Sequence, residues 1–450
     1  MTQKKSRSRI FQFGGLLLAA VLFTGCSSVG TVGGFLRPPS PHARYAASLT
    51  DAGLADAALG RAWLQAADAA LAAPQPAELP LNEVLYFDPS RPAAVAYRLE
   101  LLEGQKLSVE VQPESTVPGR LFLDLLEPPE TTEEQPKDVA SAEDVFVLTF
   151  DVRETGAYLL RFQPELLRGG RYTVTARIGA SLTFPVASAD SRAIGSRFGD
   201  PRDGGARSHE GVDIFAPRGT HAVAAADGRV VRVGTNSLGG NIVWMRASDR
   251  DLSFYYAHLD RQLVSTGAQV VAGEPVGEVG NTGNARNTPP HLHFGLFANG
   301  AIDPYPYLHQ PRQTIVPVTA DLAGLGQWVR VSGRRLNLRA GPTDKSSVVR
   351  ELPRHAALEV VAASRDWYRV HLPDGTAGYV AARLTEPARQ PVRQLRLASE
   401  SLLRHRPAPG AAALGSIAAG ESVGVLAEFD ELTLVEAPSG LAGWLVPVVG

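Results

Sequence analysis

Pro290-His291-Leu292-His293-Phe294-Gly295 decides how the middle of this 450-residue chain is read. Histidines two positions apart on a strand point to the same face, so His291 and His293 can share one site. Phe294 and Leu296 continue an apolar strand beyond them. Two upstream blocks also carry histidine: Ser208-His209-Glu210-Gly211-Val212-Asp213-Ile214 and Tyr255-Tyr256-Ala257-His258-Leu259-Asp260. In the first, His209 and Asp213 are four apart, and Gly211 gives the backbone freedom to bring both inward. Val212 and Ile214 can then point the other way, into a core. Imidazole nitrogen and carboxylate oxygen are good ligands for Zn²⁺. Two His and one Asp leave a fourth tetrahedral position for water, whose pKa the ion lowers to about 7. A nearby neutral His can take that proton and return it to a leaving amine.

Composition narrows the alternatives. Lys and Arg number 44 against 46 Asp and Glu, a formal net charge of −2, which excludes broad electrostatic capture of nucleic acid. Cys26 is the single cysteine, which excludes an internal disulfide framework and a multi-cysteine zinc site. Any metal site must therefore be built from His, Asp or Glu. Hydrophobic residues at 44% suffice for real cores, and 44 Gly with 33 Pro predict many turns and short strands. The predicted fold class is mainly β and multi-domain, with a helical N-terminal segment.

The domains follow from local pattern. Residues 1–26 read as an exported segment: Lys4, Lys5, Arg7 and Arg9, then an apolar run from Phe13 to Phe23, too short to span a bilayer comfortably. Cys26 follows in Leu22-Phe23-Thr24-Gly25-Cys26, which resembles a bacterial lipoprotein signal; the resemblance implies lipidation at Cys26. Ser27 after it resembles outer-membrane sorting, so the expected location is the cell envelope, lipid-anchored in the outer membrane and facing the periplasm. Residues 27–41 are a Gly-, Ser- and Pro-rich tether, and Ala- and Leu-dense residues 42–74 predict one or two short helices. Period-two alternation through residues 80–180, as in Val95, Tyr97, Leu99 and Leu101, predicts a β-sandwich. Residues 190–310 hold the histidine blocks, and residues 311–326 read as a linker. Leu338-Arg339 and Pro342 recur as Leu403-Arg404 and Pro407, and Gly378-Tyr379-Val380 recurs as Gly443-Trp444-Leu445, so 327–386 and 392–450 are two copies of one small β-domain.

The blocks of residues 190–310 together resemble the M23 family of zinc metallopeptidases, the lysostaphin and LytM group. Arg197-Phe198-Gly199, Gly240-Asn241 and Gly280-Asn281-Thr282-Gly283 belong to the same resemblance. It implies an antiparallel β-sheet peptidase domain with an open groove, shaped by loops around 199–208, 234–240, 248–253 and 281–290. It implies one Zn²⁺ per chain held by His209, Asp213 and His293, with His258 and His291 as catalytic residues: one the general base, the other stabilising the developing oxyanion. Leu336-Asn337-Leu338-Arg339-Ala340-Gly341-Pro342 and Asp366-Trp367-Tyr368 resemble the bacterial SH3-like domain, which implies small β-barrels that bind cell-wall peptides. The second copy has Leu432 where the first has Trp367, so its groove is altered.

The expected function is a zinc endopeptidase that hydrolyses peptide bonds in peptidoglycan stems or cross-bridges. The partners are peptidoglycan peptides and, through the lipid anchor, a membrane. The alternative is a non-catalytic LytM-type regulator whose partner is a cell-wall amidase in the envelope. Such regulators characteristically lose zinc ligands, whereas His209, Asp213 and His293 are all present here.

Overall fold

Alternating apolar residues between 80 and 300 form strands that mostly bury one face, while Leu121–Glu127 and Gly156–Pro164 are buried on both. The computed structural model describes residues 38–114, 119–131, 134–142, 147–408 and 410–446; Cys26, the exported segment and most of the tether lie outside them. Two helices come first, Pro41–Asp51 and Ala58–Ala72. Ser40 caps the first by accepting from Ala43 N–H, and a proline occupies its first turn, where a missing N–H costs nothing. The helices bury Leu49 and Trp63 against Phe122 of the sandwich. Trp63 donates its ring N–H to the Pro164 carbonyl at 2.8 Å, so the buried indole is satisfied. Among the described residues no helix is long and apolar enough to cross a membrane.

The sandwich has two sheets. One orders Gln75–Pro76, Val95–Leu101, Gly156–Pro164, Leu121–Glu127 and Lys137–Ala142. The other orders Leu81–Phe87, Gly170–Ala180, Gln105–Pro113 and Val147–Asp151. Leu99, Leu107, Leu125, Leu160 and Val174 fill the space between them.

The second sheet does not end with the sandwich. Leu81–Phe87 pairs antiparallel with Ala357–Ser364 of the first barrel, matching Val84 with Ala363 and Leu85 with Ala362. The sheet thus runs through 11 strands. Sequence pattern places these two modules as separate units, 80–180 and 327–386; hydrogen bonding makes them continuous. A buried polar cluster seals the seam. Tyr97 donates to the Glu83 carboxylate, Arg369 donates to the Tyr97 hydroxyl at 3.2 Å, and Arg369 lies 3.7 Å from Glu83. The expected linker is also strapped to the sandwich. Gln313 bonds both the N–H and the carbonyl of Ile178, and Asn82 donates to the Val316 carbonyl at 2.9 Å.

The two barrels repeat each other over six strands. Ala357, Trp367 and Ala377 begin three strands of the first, and Ser422, Leu432 and Ala442 begin their counterparts 65 residues later. The second packs onto the first. Trp444, at the position equivalent to Tyr379, is fully buried and meets the Trp328 ring edge-on at 4.8 Å. Leu426, Phe429 and Leu434 join the first barrel's core beside it.

Residues between the sandwich and the barrels form an antiparallel sheet in the order Ile194–Ser196, Val212–Phe215, His291–Phe297, Ser253–Gln262, Gly240–Ala247, Gly228–Asn236, Gln269–Val270. One face buries Val212, Ile214, Val243, Met245, Phe254, Tyr256, Leu292 and Phe294 completely. Alternation turns Asp213, Tyr255, His291 and His293 to the other face. The 248–253 loop, expected beside the groove, docks on the sandwich instead. Arg250 bonds Asp151 at 2.7 Å, and Tyr307 donates to Glu103 at 2.5 Å nearby.

Removing one partner from a buried ion pair leaves the other charge stranded, at a cost of about 3–5 kcal/mol. Arg369→Met should therefore lower the thermal midpoint strongly in calorimetry, and the Glu83→Gln/Arg369→Met double variant should recover most of the loss. Equal midpoints for the single and double variants would show that the cluster does not couple the modules.

Candidate metal centre and catalytic groove

Asp213 and His293 are directly opposed across neighbouring strands, and Ala257 opposes His293 from the other side. His209 reaches the same point from the loop before Val212. Its Nε2 is 3.0 Å from Asp213 Oδ1 and 2.9 Å from His293 Nδ1, and His293 Nδ1 is 3.0 Å from that same Oδ1. These three form the cluster of potential metal-holding side chains among the described residues. His209 Nδ1 faces the Arg197 carbonyl at 2.8 Å and must donate to it, which leaves Nε2 as the bare nitrogen. Three lone-pair-bearing atoms so close together repel unless a cation sits among them. A tetrahedral ion with bonds of 2.0–2.1 Å separates its donors by about 3.3 Å, close to the spacing here. The donor set therefore fits zinc.

Gly211 makes the approach feasible, for a reason of space. A Cβ there would meet the Phe294 carbonyl oxygen at 2.5 Å and the His293 ring at 2.9 Å. Burial works to raise the Asp213 carboxyl, but in the metal-free protein the facing His209 and His293 ring nitrogens, when they carry protons, outweigh it and hold the group well below the usual carboxylate range. Burial pushes the His293 imidazole down.

His258 and His291 flank this cluster. Their rings are 5.0 Å apart, and His258 is 6.0 Å from the His293 ring. His258 Nδ1 bonds the Thr282 carbonyl and His291 Nδ1 the Pro289 carbonyl, each at 2.9 Å. Both must donate there, so the neutral form of each has a free Nε2. Burial lowers the His258 pKa to about 4, so it is neutral at pH 7. The five matched residues therefore come together, whereas His221, His309, His355, His371 and His405 do not line the groove.

The groove has a volume of about 720 Å³, and every residue lining it lies between Arg202 and Phe297. Neither the sandwich nor the barrels contribute a wall. Trp244, Tyr255 and Phe297 form an aromatic side, with Trp244 centred 4.6 Å from Tyr255 and 5.0 Å from Phe297. Glu210, adjacent to a cluster residue, is exposed and also lines the groove.

One residue that sequence motifs did not single out is Arg202. Its Nη2 donates to Asp213 Oδ2 at 2.8 Å and to Ser196 Oγ at 2.6 Å. Ser196 Oγ in turn donates to Asp200 at 2.8 Å. Arg202 thus grips the carboxylate oxygen that the histidines leave free. A lone arginine in a glycine-rich turn carries no spacing signal, so only the folded hairpin reveals it.

Known proteins resemble two stretches of the chain. Peptidase family M23 matches residues 207–304, and the bacterial SH3 domain matches residues 334–386. The peptidoglycan DD-endopeptidase ShyC of Vibrio cholerae is 37% identical over 140 residues, covering 30% of this chain and 30% of ShyC. The murein hydrolase activator NlpD of Salmonella dublin is 38% identical over 104 residues, covering 23% of this chain and 26% of NlpD. The chain thus spans less than a third of the length of either relative. The catalytic domain of the antimicrobial peptidase lysostaphin from Staphylococcus simulans is 35% identical, covering 25% of this chain and 90% of that one, with a TM-score of 0.24. The chain carries a peptidase family M23 domain, followed by a bacterial SH3 domain.

Proposed function

We propose that this protein is a zinc endopeptidase that cleaves peptides of bacterial peptidoglycan from the cell envelope, held there by a lipid on Cys26. The convergence of His209, Asp213 and His293 on one point, with His258 and His291 beside it, carries this reading. Zinc, when bound, supplies Lewis acidity and a water acidified to a pKa of about 7. The remaining work falls to side chains. His209 Nε2, Asp213 Oδ1 and His293 Nδ1 hold the ion, and Arg202 fixes the Asp213 carboxylate through its second oxygen. His258, neutral and with Nε2 free, accepts the proton of the attacking water. His291, its ring 5.0 Å from that of His258, donates to the carbonyl oxygen of the scissile bond once protonated. The open walls at 202–210 and 284–297 admit an extended peptide, and the aromatic side of the groove excludes bulk water from one flank.

A second reading has a specific observation behind it, the similarity to NlpD, an activator of murein hydrolases. The complete donor set and the two flanking histidines favour catalysis over activation alone, since an activator needs neither.

Elemental analysis and incubation with purified peptidoglycan test the assignment. The wild-type protein should hold about one zinc and release new amino termini in a chelator-sensitive way. His293→Ala should lose both the zinc and the cleavage. Stoichiometric zinc with no cleavage on several wall types would favour the activator reading.

Second partners of ligating carboxylates typically contribute 10- to 100-fold to metal affinity. Arg202→Ala should weaken zinc binding by about that factor in competition with a chromophoric chelator. Unchanged affinity would show that Arg202 does not orient Asp213.

A further inference from the structure

His258 is held in a conformation its residue type disfavours. It has a φ of +61°, in the left-handed region that non-glycine residues seldom occupy. The strand Ser253–Gln262 otherwise alternates, with Phe254 and Tyr256 in the core and Tyr255 and Ala257 toward the groove. Continued alternation would send His258 into the core. A bulge prevents it: the pairing with the neighbouring strand slips between Asn241–Leu259 and Val243–Tyr256. The slip rotates His258 to the groove face, at the expense of local backbone strain.

Two side chains hold the bulge open. Asn241 donates its amide hydrogens to the Leu259 and Asp260 carbonyls, each at 3.0 Å. Thr282 donates its hydroxyl to the same Leu259 carbonyl at 2.9 Å and accepts from the Asn241 backbone N–H at 2.9 Å. The four bonds form a closed set around the carbonyls that immediately follow His258. The Thr282 carbonyl also receives His258 Nδ1, so one residue fixes both the backbone and the ring. Glycines allow the close crossing. A Cβ at Gly240 would collide with Thr282 Oγ1, and one at Gly280 would lie 2.8 Å from the His258 carbonyl oxygen. Arg218 anchors the outer edge by donating to Asp260 and Asn281.

We propose that Asn241 and Thr282 are positioning residues that maintain the bulge and thereby aim His258 Nε2 at the attacking water. This rests on the peptidase reading above, and it adds a function for two blocks that otherwise have none. Neither residue touches the three donors, so zinc retention is independent of them.

The test compares Thr282→Val, which keeps the shape and removes the hydroxyl, with Thr282→Ser, which keeps the hydroxyl, and with Asn241→Asp, all in the full chain. Misplacing a reacting group by about 1 Å costs about 100-fold. Thr282→Val and Asn241→Asp should lower kcat by about 10- to 100-fold with KM within twofold and zinc content unchanged. Thr282→Ser should stay near wild type. In a His258→Ala background, Thr282→Val should have little further effect, because its role acts through that ring. An equal loss in both backgrounds would overturn the proposal. A readout independent of turnover separates it from the peptidase reading. Histidine-labelled protein without metal should show His258 as the Nδ1–H tautomer by NMR, and Thr282→Val should turn that signal into a mixture. If wild type cleaves nothing yet Thr282→Val shifts the tautomer, the peptidase reading fails and the positioning stands. An unshifted tautomer with unaltered kcat overturns the positioning alone.

Discussion

Asp213 and His293 oppose each other across two antiparallel strands, and the rest of the site is arranged around that pair. Side chains alternate with period two, so a slip of one residue would carry the carboxylate into the core and expose Ile214 or Val212 in its place. Those two residues are fully buried, as are Leu292 and Phe294 opposite them. The apolar face therefore fixes the register, and the register fixes the donors. His209 joins because Gly211 lets the loop pass against the neighbouring strand. The site and the core are two faces of one pattern.

His258 is the exception to that pattern. Where the ligands use ordinary alternation, this residue depends on its interruption. The strand spends local strain to turn one side chain, and the surrounding hydrogen bonds over-determine the strained backbone. Strain at a single residue beside the donors is consistent with a group whose aim matters more than its contribution to stability.

The His-x-His block was legible because spacing alone puts both side chains on one face, and the His-x-x-x-Asp block because Gly211 marks where the chain can turn inward. Alternation likewise revealed the sandwich, and the 65-residue offset revealed the paired barrels. The continuity of sandwich and first barrel was hidden, because the pairing of Val84 with Ala363 joins residues that share no local pattern. Arg202 was hidden for a similar reason: its partner lies across a hairpin, and arginines in turns are ordinarily solvated. The 248–253 loop was misplaced because sequence shows that a loop is near a sheet but not toward which neighbour it leans. Trp444 shows the limit of reading repeats. Its alignment with Tyr379 was visible, whereas its burial against Trp328 emerges only from the packing of one copy on the other.

The strapped linker and the shared sheet change what the first barrel could accomplish as a binding module. On a floppy tether, a binding module raises the local concentration of every bond within its reach. Here the barrel is hydrogen-bonded to the sandwich, and the sandwich is ion-paired to the sheet that bears the groove. A polymer gripped by such a barrel would meet the groove at one fixed offset, as stock meets the jaw of a caliper. Under the proposed function the gain would then be in spacing rather than in search, with any cut set at a fixed distance from the grip.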